Sequence, residues 1–252
     1  MDPDLARAFE FILRADMAGT RTERFRFGTA VSLPECPLRH DSNYLVVDPL
    51  PRDVDAAALA DEADRVQGGA GLKHRMVMFR AAADGERLAA GFAALGWEPF
   101  RGLVMALRRP SSKSADTSVV TRADPGALRA AREAQILSYP WGTPEVARHL
   151  LGARDFIPVE TRHYAVFVDG EPASWAELYI EGDTAQLEAL ATAERFRNRG
   201  HASAVMLHMA EEARRAGASF LFLSANAADW PKDLYTRLGY DEIGRYVKFT
   251  RT

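Results

Sequence analysis

The stretch LEALATAERFRNRGHASAV, Leu187 to Val205, decides how this chain is read. A strand runs into Arg197-Asn198-Arg199-Gly200-His201-Ala202, and a helix follows to about Arg215. A helix that starts this abruptly leaves its first N–H groups without intrahelical partners, at the positive end of its dipole. Gly200 lets the backbone turn sharply and come close to a ligand. Arg197 and Arg199 add charge-assisted donors for phosphate oxygens. Such a turn suits a pyrophosphate. Taken alone, the hexapeptide is a weak signal and reads first as an ordinary strand–helix turn with solvated arginines.

Working outward, three strands precede it as a meander: Tyr164–Val168, Ala173–Ile180 and Ala185–Leu190, separated by Asp169-Gly170 and Glu181-Gly182-Asp183. Before them, Asp124 caps a helix to Leu137 with Pro125 just inside, and Thr143 and Pro144 open a short helix to Leu151. After the hexapeptide come a strand at Phe220–Ser224, a helix at Pro231–Leu238 stopped by Gly239, and a last strand near Ile243–Phe249. RPSSKSADT, Arg109 to Thr117, reads as a linker. The expected division is therefore residues 1–110, a linker at 111–117, and residues 118–252. In the first part we expect helices over 2–18, Asp53–Gln67 and Gly85–Leu95. Strands are expected at Arg24–Val31, Tyr44–Val47, His74–Arg80 and Leu103–Leu107, with a loop over 32–43. Both parts contain a helix stopped by Gly before an aromatic and a strand, Gly96-Trp97 and Gly239-Tyr240. That leaves two readings open, a duplication or an unrelated α/β cap.

Composition narrows the class. The 252 residues are 47% hydrophobic and 27% charged, the balance of a globular chain. The net charge of -3 is spread evenly over both parts, which gives no footprint for nucleic acid or an anionic membrane. The single cysteine, Cys36, excludes an intrachain disulfide and a Cys-cluster metal site. Of the six histidines, only His201 and His208 share a helix face, and they have no carboxylate partner, so no metal is expected. No apolar run approaches ~18 residues. The first residues, MDPDLARAFEFILRADMAG, carry acids where a signal peptide carries bases, and a cytoplasmic location is expected.

About 35 residues after the hexapeptide stands Leu234-Tyr235-Thr236-Arg237-Leu238-Gly239-Tyr240. With the meander and the hexapeptide, it resembles the GNAT acetyltransferase superfamily. That family's phosphate signature is Arg or Gln, two residues, Gly, one residue, then Gly or Ala; Arg197, Gly200 and Ala202 match it. The string Thr192–Ala202, with Asp229-Trp230-Pro231-Lys232 before the tyrosine, is similar to an actinobacterial group of the family. The resemblance covers residues 118–252. It implies an α/β chain (α+β by some schemes), a GNAT acyl-CoA-binding fold with a mixed central sheet, preceded by a smaller α/β domain. That first domain is either a degenerate second GNAT unit, as in tandem proteins, or a cap. The implied activity is acetyl-CoA-dependent N-acetylation, by direct attack of a small-molecule or peptide amine on the thioester, in a monomer or homodimer. The alternative is an acyl-CoA-binding sensor or scaffold without turnover.

The resemblance also implies roles. Leu190 and Thr192 would offer backbone groups to the pantetheine, and Arg197, Asn198, Arg199, Gly200, His201 and Ala202 would hold the pyrophosphate. Asn226 would bond pantetheine or a water, or simply form a turn. Tyr235 would protonate the leaving thiolate, or pack in the core. Glu188 would take the proton of the acceptor, or be a solvated strand residue. By strand periodicity Trp175, Glu177 and Tyr179 share one face, a stripe suited to a cationic amine or to packing beneath the first domain. Tyr139 and Trp141 occupy the loop that shapes the acceptor site in relatives, or an interface with the first domain.

Overall fold

The alternation of side chains along two antiparallel strands sets the architecture. β5 (Glu98–Leu107) and β11 (Tyr240–Arg251) pair from Glu98 with Thr250 to Leu107 with Tyr240. On β5, Leu103 and Met105 enter one core while Val104 and Ala106 enter another on the opposite face. Period-2 geometry requires two covered faces when every residue is apolar. The computed structural model describes residues 2–16 and 21–252.

β4 (Arg75–Phe79) pairs antiparallel with β11, and β3 (Tyr44–Val47) runs parallel to β4. The hairpin of β1 (Arg21–Phe25) and β2 (Gly28–Ser32) completes that flank. On the other side β10 (Phe220–Asn226) pairs antiparallel with β5, and β9 (Thr184–Thr192) runs parallel to β10. Then come β8 (Glu171–Glu181), β7 (Glu160–Val168) and β6 (Val120–Arg122). The result is one eleven-stranded sheet, β1-β2-β3-β4-β11-β5-β10-β9-β8-β7-β6. Each half of the chain thus places its last strand inside the other half. The stretch at 111–117 divides the chain in sequence but not in the sheet. It is also pinned down: Ser112 donates from N and Oγ to the Arg237 carbonyl, and Arg109 pairs with Asp241 at 2.6 Å.

Helices cover both faces. α2 (Ala56–Ala63) and α3 (Ala82–Ala94) bring Leu59, Leu88 and Phe92 onto Val77, Phe79 and Phe249. α6 (His201–Arg215) and α7 (Pro231–Arg237) cover the same side of the second half. α1 (Pro3–Asp16) crosses the opposite face of the central strands, where Phe9 and Phe11 pack on Met78, Val104, Phe222 and Tyr246. Each fully buried aromatic of this kind contributes about 1.5–3 kcal/mol. Arg7 ties α1 to the second half through Thr184 Oγ1 at 2.8 Å and Asp183 at 2.6 Å. The expected extension of α1 through Met17 lies outside the described residues. α4 (Pro125–Leu137) and α5 (Pro144–Gly152) start as their sequences imply, with Asp124 accepting from Gly126 N and Thr143 from Val146 N. No helix among the described residues is long and apolar enough to cross a membrane.

Candidate active site

The turn into α6 is made by two residues in the left-handed region. Asn198 and Gly200 both take positive φ, 61° and 85°. Gly200 is the helix N-cap and no side chain caps the helix. A Cβ placed on Gly200 would meet nothing within 4 Å, so the space above the first N–H groups is open. Arg197, Asn198 and Arg199 are exposed and His201 is half-buried around it. The matching turn of the first half, between β3 and α2, has none of this. Its sequence DPLPRDVD, residues 48–55, carries three aspartates, and Asp55 spends its carboxylate on Ala58 N at 2.9 Å. Three carboxylates make that turn unsuited to a phosphate, whereas the turn into α6 has its helix N-terminus uncapped by any side chain.

β9 and β10 part beside this turn. Their parallel pairing runs from Thr184 with Phe220 to Leu187 with Leu223 and stops, although both strands continue. Against β8 the register also jumps: Ala176 faces both Ala189 and Leu190 of β9. Ala189 takes φ +52° to make this bulge. A bulge re-aims side chains and twists its strand away from a neighbour. The half-buried Glu188, Leu190 and Thr192 therefore lie along an opened edge. Thr192 also shares a hydrogen bond with Ser174 Oγ at 3.0 Å. The opening fits an acyl-CoA arm, whose amides would satisfy the freed backbone groups.

A cavity of about 260 Å³ lies on the α1 side of the sheet, at the seam of the two halves. The second half supplies Tyr179, Gln186, Glu188, Asn226, Tyr246 and Lys248. The first half supplies Phe9, Ile12 and Asp16 from α1, and Arg39 and Asp41 from the 32–43 loop. Asn43 holds that loop in place. It is fully buried, accepts from Leu33 N at 2.8 Å, and donates to the Cys36 and Arg39 carbonyls at 3.0 and 2.8 Å. Its own carbonyl accepts from Gln67 Nε2 at 2.9 Å and His74 Nε2 at 2.8 Å.

Burial pushes the Glu188 carboxyl above the usual carboxylate range, and the Ala189 N–H only partly offsets this. Gln186 Nε2 donates to Glu188 Oε1. Burial raises Asp16 to about 7, and Tyr44 donates to it at 3.1 Å. Lys248 pairs with Asp41 and holds that carboxyl low. Tyr235, on α7, is half-buried beside Tyr240 and is raised to about 12 by burial, then by the charges of Glu188 and Asp229. The Tyr235 phenol is therefore protonated at neutral pH, within electrostatic reach of Glu188.

The expected acceptor residues separate. Tyr179 lines the cavity, but its hydroxyl donates to Glu177 Oε2 at 2.6 Å. Glu177 is fully buried and held by Arg132 at 2.7 Å and Arg154 at 2.5 Å. Burial opposes its charge, but Arg154 and Arg132 outweigh burial and keep the carboxyl low. This corrects the expectation of a free carboxylate for a cationic amine, because two guanidiniums already satisfy it. Trp175 packs among Leu128, Ala165 and Ala191, away from the cavity lining. Tyr139 and Trp141 stack on each other at 4.8 Å, both exposed and also outside that lining. Asn226 closes a turn by accepting from Ala228 N at 2.9 Å, at the cavity edge.

Sequence reasoning missed Gln186, Asp16, Arg39, Asp41 and Lys248. Gln186 carried a signal, since it is two residues from Glu188 and shares its strand face. The others come from distant segments that only the shared sheet brings together. Among the described residues, no cluster of three or more His, Cys, Asp or Glu could hold a metal ion.

The sequence model of the acetyltransferase (GNAT) family matches residues 128–240. No curated protein matches the chain. Among solved structures, a conserved Staphylococcus epidermidis protein of unknown function matches with a TM-score of 0.71 at 17% identity, covering 92% of this chain and 94% of that one. A GCN5-related N-acetyltransferase from Kribbella flavida matches with a TM-score of 0.59 at 14% identity, over 98% and 93% of the two chains. A tandem GNAT protein from the clavulanic acid biosynthesis pathway matches with a TM-score of 0.58 at 14% identity, over 99% and 95%. Identities this low speak to the fold alone. Residues 128–240 thus match a GNAT acetyltransferase domain, within a fold that the whole chain shares with GNAT structures.

Proposed function

We propose that the chain transfers an acetyl group from acetyl-CoA to an amine held in the cavity between its halves. The observation that carries this reading is the opened edge of β9. Its one strand leads from the raised carboxyl of Glu188 to the uncapped, positive-φ turn at Gly200. Arg197 to Ala202 would hold the pyrophosphate, and the β9 edge at Leu190 and Thr192 the pantetheine amides. Acetyl-CoA, when bound, supplies an acetyl group activated as a thioester. Glu188 takes a proton from the acceptor ammonium, which leaves a neutral nucleophile. The Tyr235 hydroxyl holds the proton that the departing sulfur needs. The fold contributes by holding both reactants in one geometry, which removes much of the entropic part of the barrier.

The test is release of free CoA thiol from acetyl-CoA over a panel of amines, with acetylated product identified by mass. Amine-dependent release that is lost in Glu188→Gln supports the reading. Tight acetyl-CoA binding with no transfer to any amine would instead favour a sensor.

A further inference from the structure

Most polar groups of the cavity already have partners. Asp41 pairs with Lys248, Tyr44 donates to Asp16, the Tyr179 hydroxyl goes to Glu177, and Asn226 closes its own turn. Two groups remain. Gln186 is 3% exposed, and its Oε1 has no hydrogen-bond donor. With Nε2 committed to Glu188, the amide cannot be flipped to cure this without losing that bond. A buried acceptor left this way is costly until something donates to it. The other is the guanidinium of Arg39, a half-buried cation of the wall that forms no ion pair among the described residues. Between them the wall is apolar, with Phe9, Ile12, Met78, Phe100 and Tyr246. About 260 Å³ is small beside the ~300–1,000 Å³ of typical ligand pockets.

We infer that the acceptor is a small amine carrying its own anionic group, its ammonium at Gln186 and Glu188 and its anion at Arg39. This rests on reading the cavity as the acceptor site. An ammonium has three donors, enough for Gln186 Oε1 and a Glu188 oxygen together. Arg39 answers a carboxylate or a phosphonate with a planar fork. The apolar wall takes the hydrocarbon part. A plain alkylamine leaves Arg39 without a direct ion pair, with only the more distant charges of Asp16, Asp41 and Glu188 facing it, and a polyamine sets a second cation against it. Such an acceptor also bridges the halves, because Arg39 comes from the first and Gln186 and Glu188 from the second.

The experiment is calorimetric titration of the full chain, saturated with CoA, with matched probes. These are leucine and phenylalanine, their amides, the amines lacking the carboxyl, and the aminophosphonate analogues. We expect the carboxylates or the phosphonates to bind at least 10-fold more tightly than the amides and bare amines, and the two anionic arms tell which anion is read. Arg39→Gln should bring acids and amides within about 3-fold by weakening only the acids, and Arg39→Lys should keep part of the preference. CoA affinity, read on the same variants, should be unchanged and certifies their folding. The inference is overturned if amides or bare amines bind as well as the acids, if Arg39→Gln keeps the full preference, or if no probe binds while CoA does. Failure of the transfer reading looks different: the acids bind with this preference and acetyl-CoA still yields no product.

Discussion

Glu188 and Tyr235 are both shifted toward holding a proton, and the two shifts are linked. Part of what raises Tyr235 to about 12 is the negative charge of Glu188. When Glu188 accepts the proton of an acceptor ammonium, that charge disappears and the phenol becomes a stronger acid. In the proposed reaction the base would thus prime the acid at the moment a proton is needed at sulfur. Tyr235→Phe removes the hydroxyl and leaves the ring beside Tyr240. Turnover should fall by roughly 10²-fold, the lower part of the range for a positioned acid, with the acetyl-CoA Kd near wild type. Steady-state rates and a separate binding titration check this. Equal turnover in a folded mutant would take Tyr235 out of the mechanism.

The element that delivers Arg39 and Asp41 is the 32–43 loop, and its anchor is titratable. His74 is 2% exposed, stacks on His40 at 3.8 Å, and donates to the Asn43 carbonyl. Burial lowers its pKa to about 4, against the pull of that carbonyl. A lowered base stays neutral in the fold while the unfolded chain takes up a proton near 6.5. The stability it protects is therefore complete above pH 6.5 and is lost as pH falls toward 4, by about 3 kcal/mol at most. Denaturant unfolding at pH 7 and pH 4.5 should show this slope, and His74→Gln should flatten it. The sequence marked 32–43 as a loop from its prolines, but not this anchor, since Asn43 gathers Leu33, Gln67 and His74 from three segments. Arg24–Val31 reads as one strand because Phe25 and Phe27 alternate correctly across what is in fact a two-residue turn between β1 and β2. Gly28 marks that turn: a Cβ there would lie 1.9 Å from the Val46 carbonyl oxygen. The hexapeptide and Leu234–Tyr240 were legible because glycine, proline and capping residues act locally. The bulge at Ala189 was not, because alanine has no preference for positive φ and the bulge arises from strand pairing.

At the scale of the molecule, β5 and β11 exchange places, and outward from them both flanks repeat the same order of antiparallel and parallel neighbours. This symmetry supports reading residues 1–110 as a degenerate copy that kept the sheet and lost the phosphate turn. Neither half can leave without stripping a central strand from the other. Scanning calorimetry should show one transition with equal calorimetric and van't Hoff enthalpies; two transitions would mean the halves are independent after all. The cavity exists because of the exchange, since its walls come from both halves. The proposed function requires one acyl-CoA per chain, at the turn into α6. Calorimetric titration of acetyl-CoA into wild type and Gly200→Val tests it most directly. One nucleotide per chain is expected, with binding lost in the variant because a valine at φ +85° would fill the open approach to the backbone N–H groups. Two nucleotides per chain, or an unchanged Kd in Gly200→Val, would contradict it.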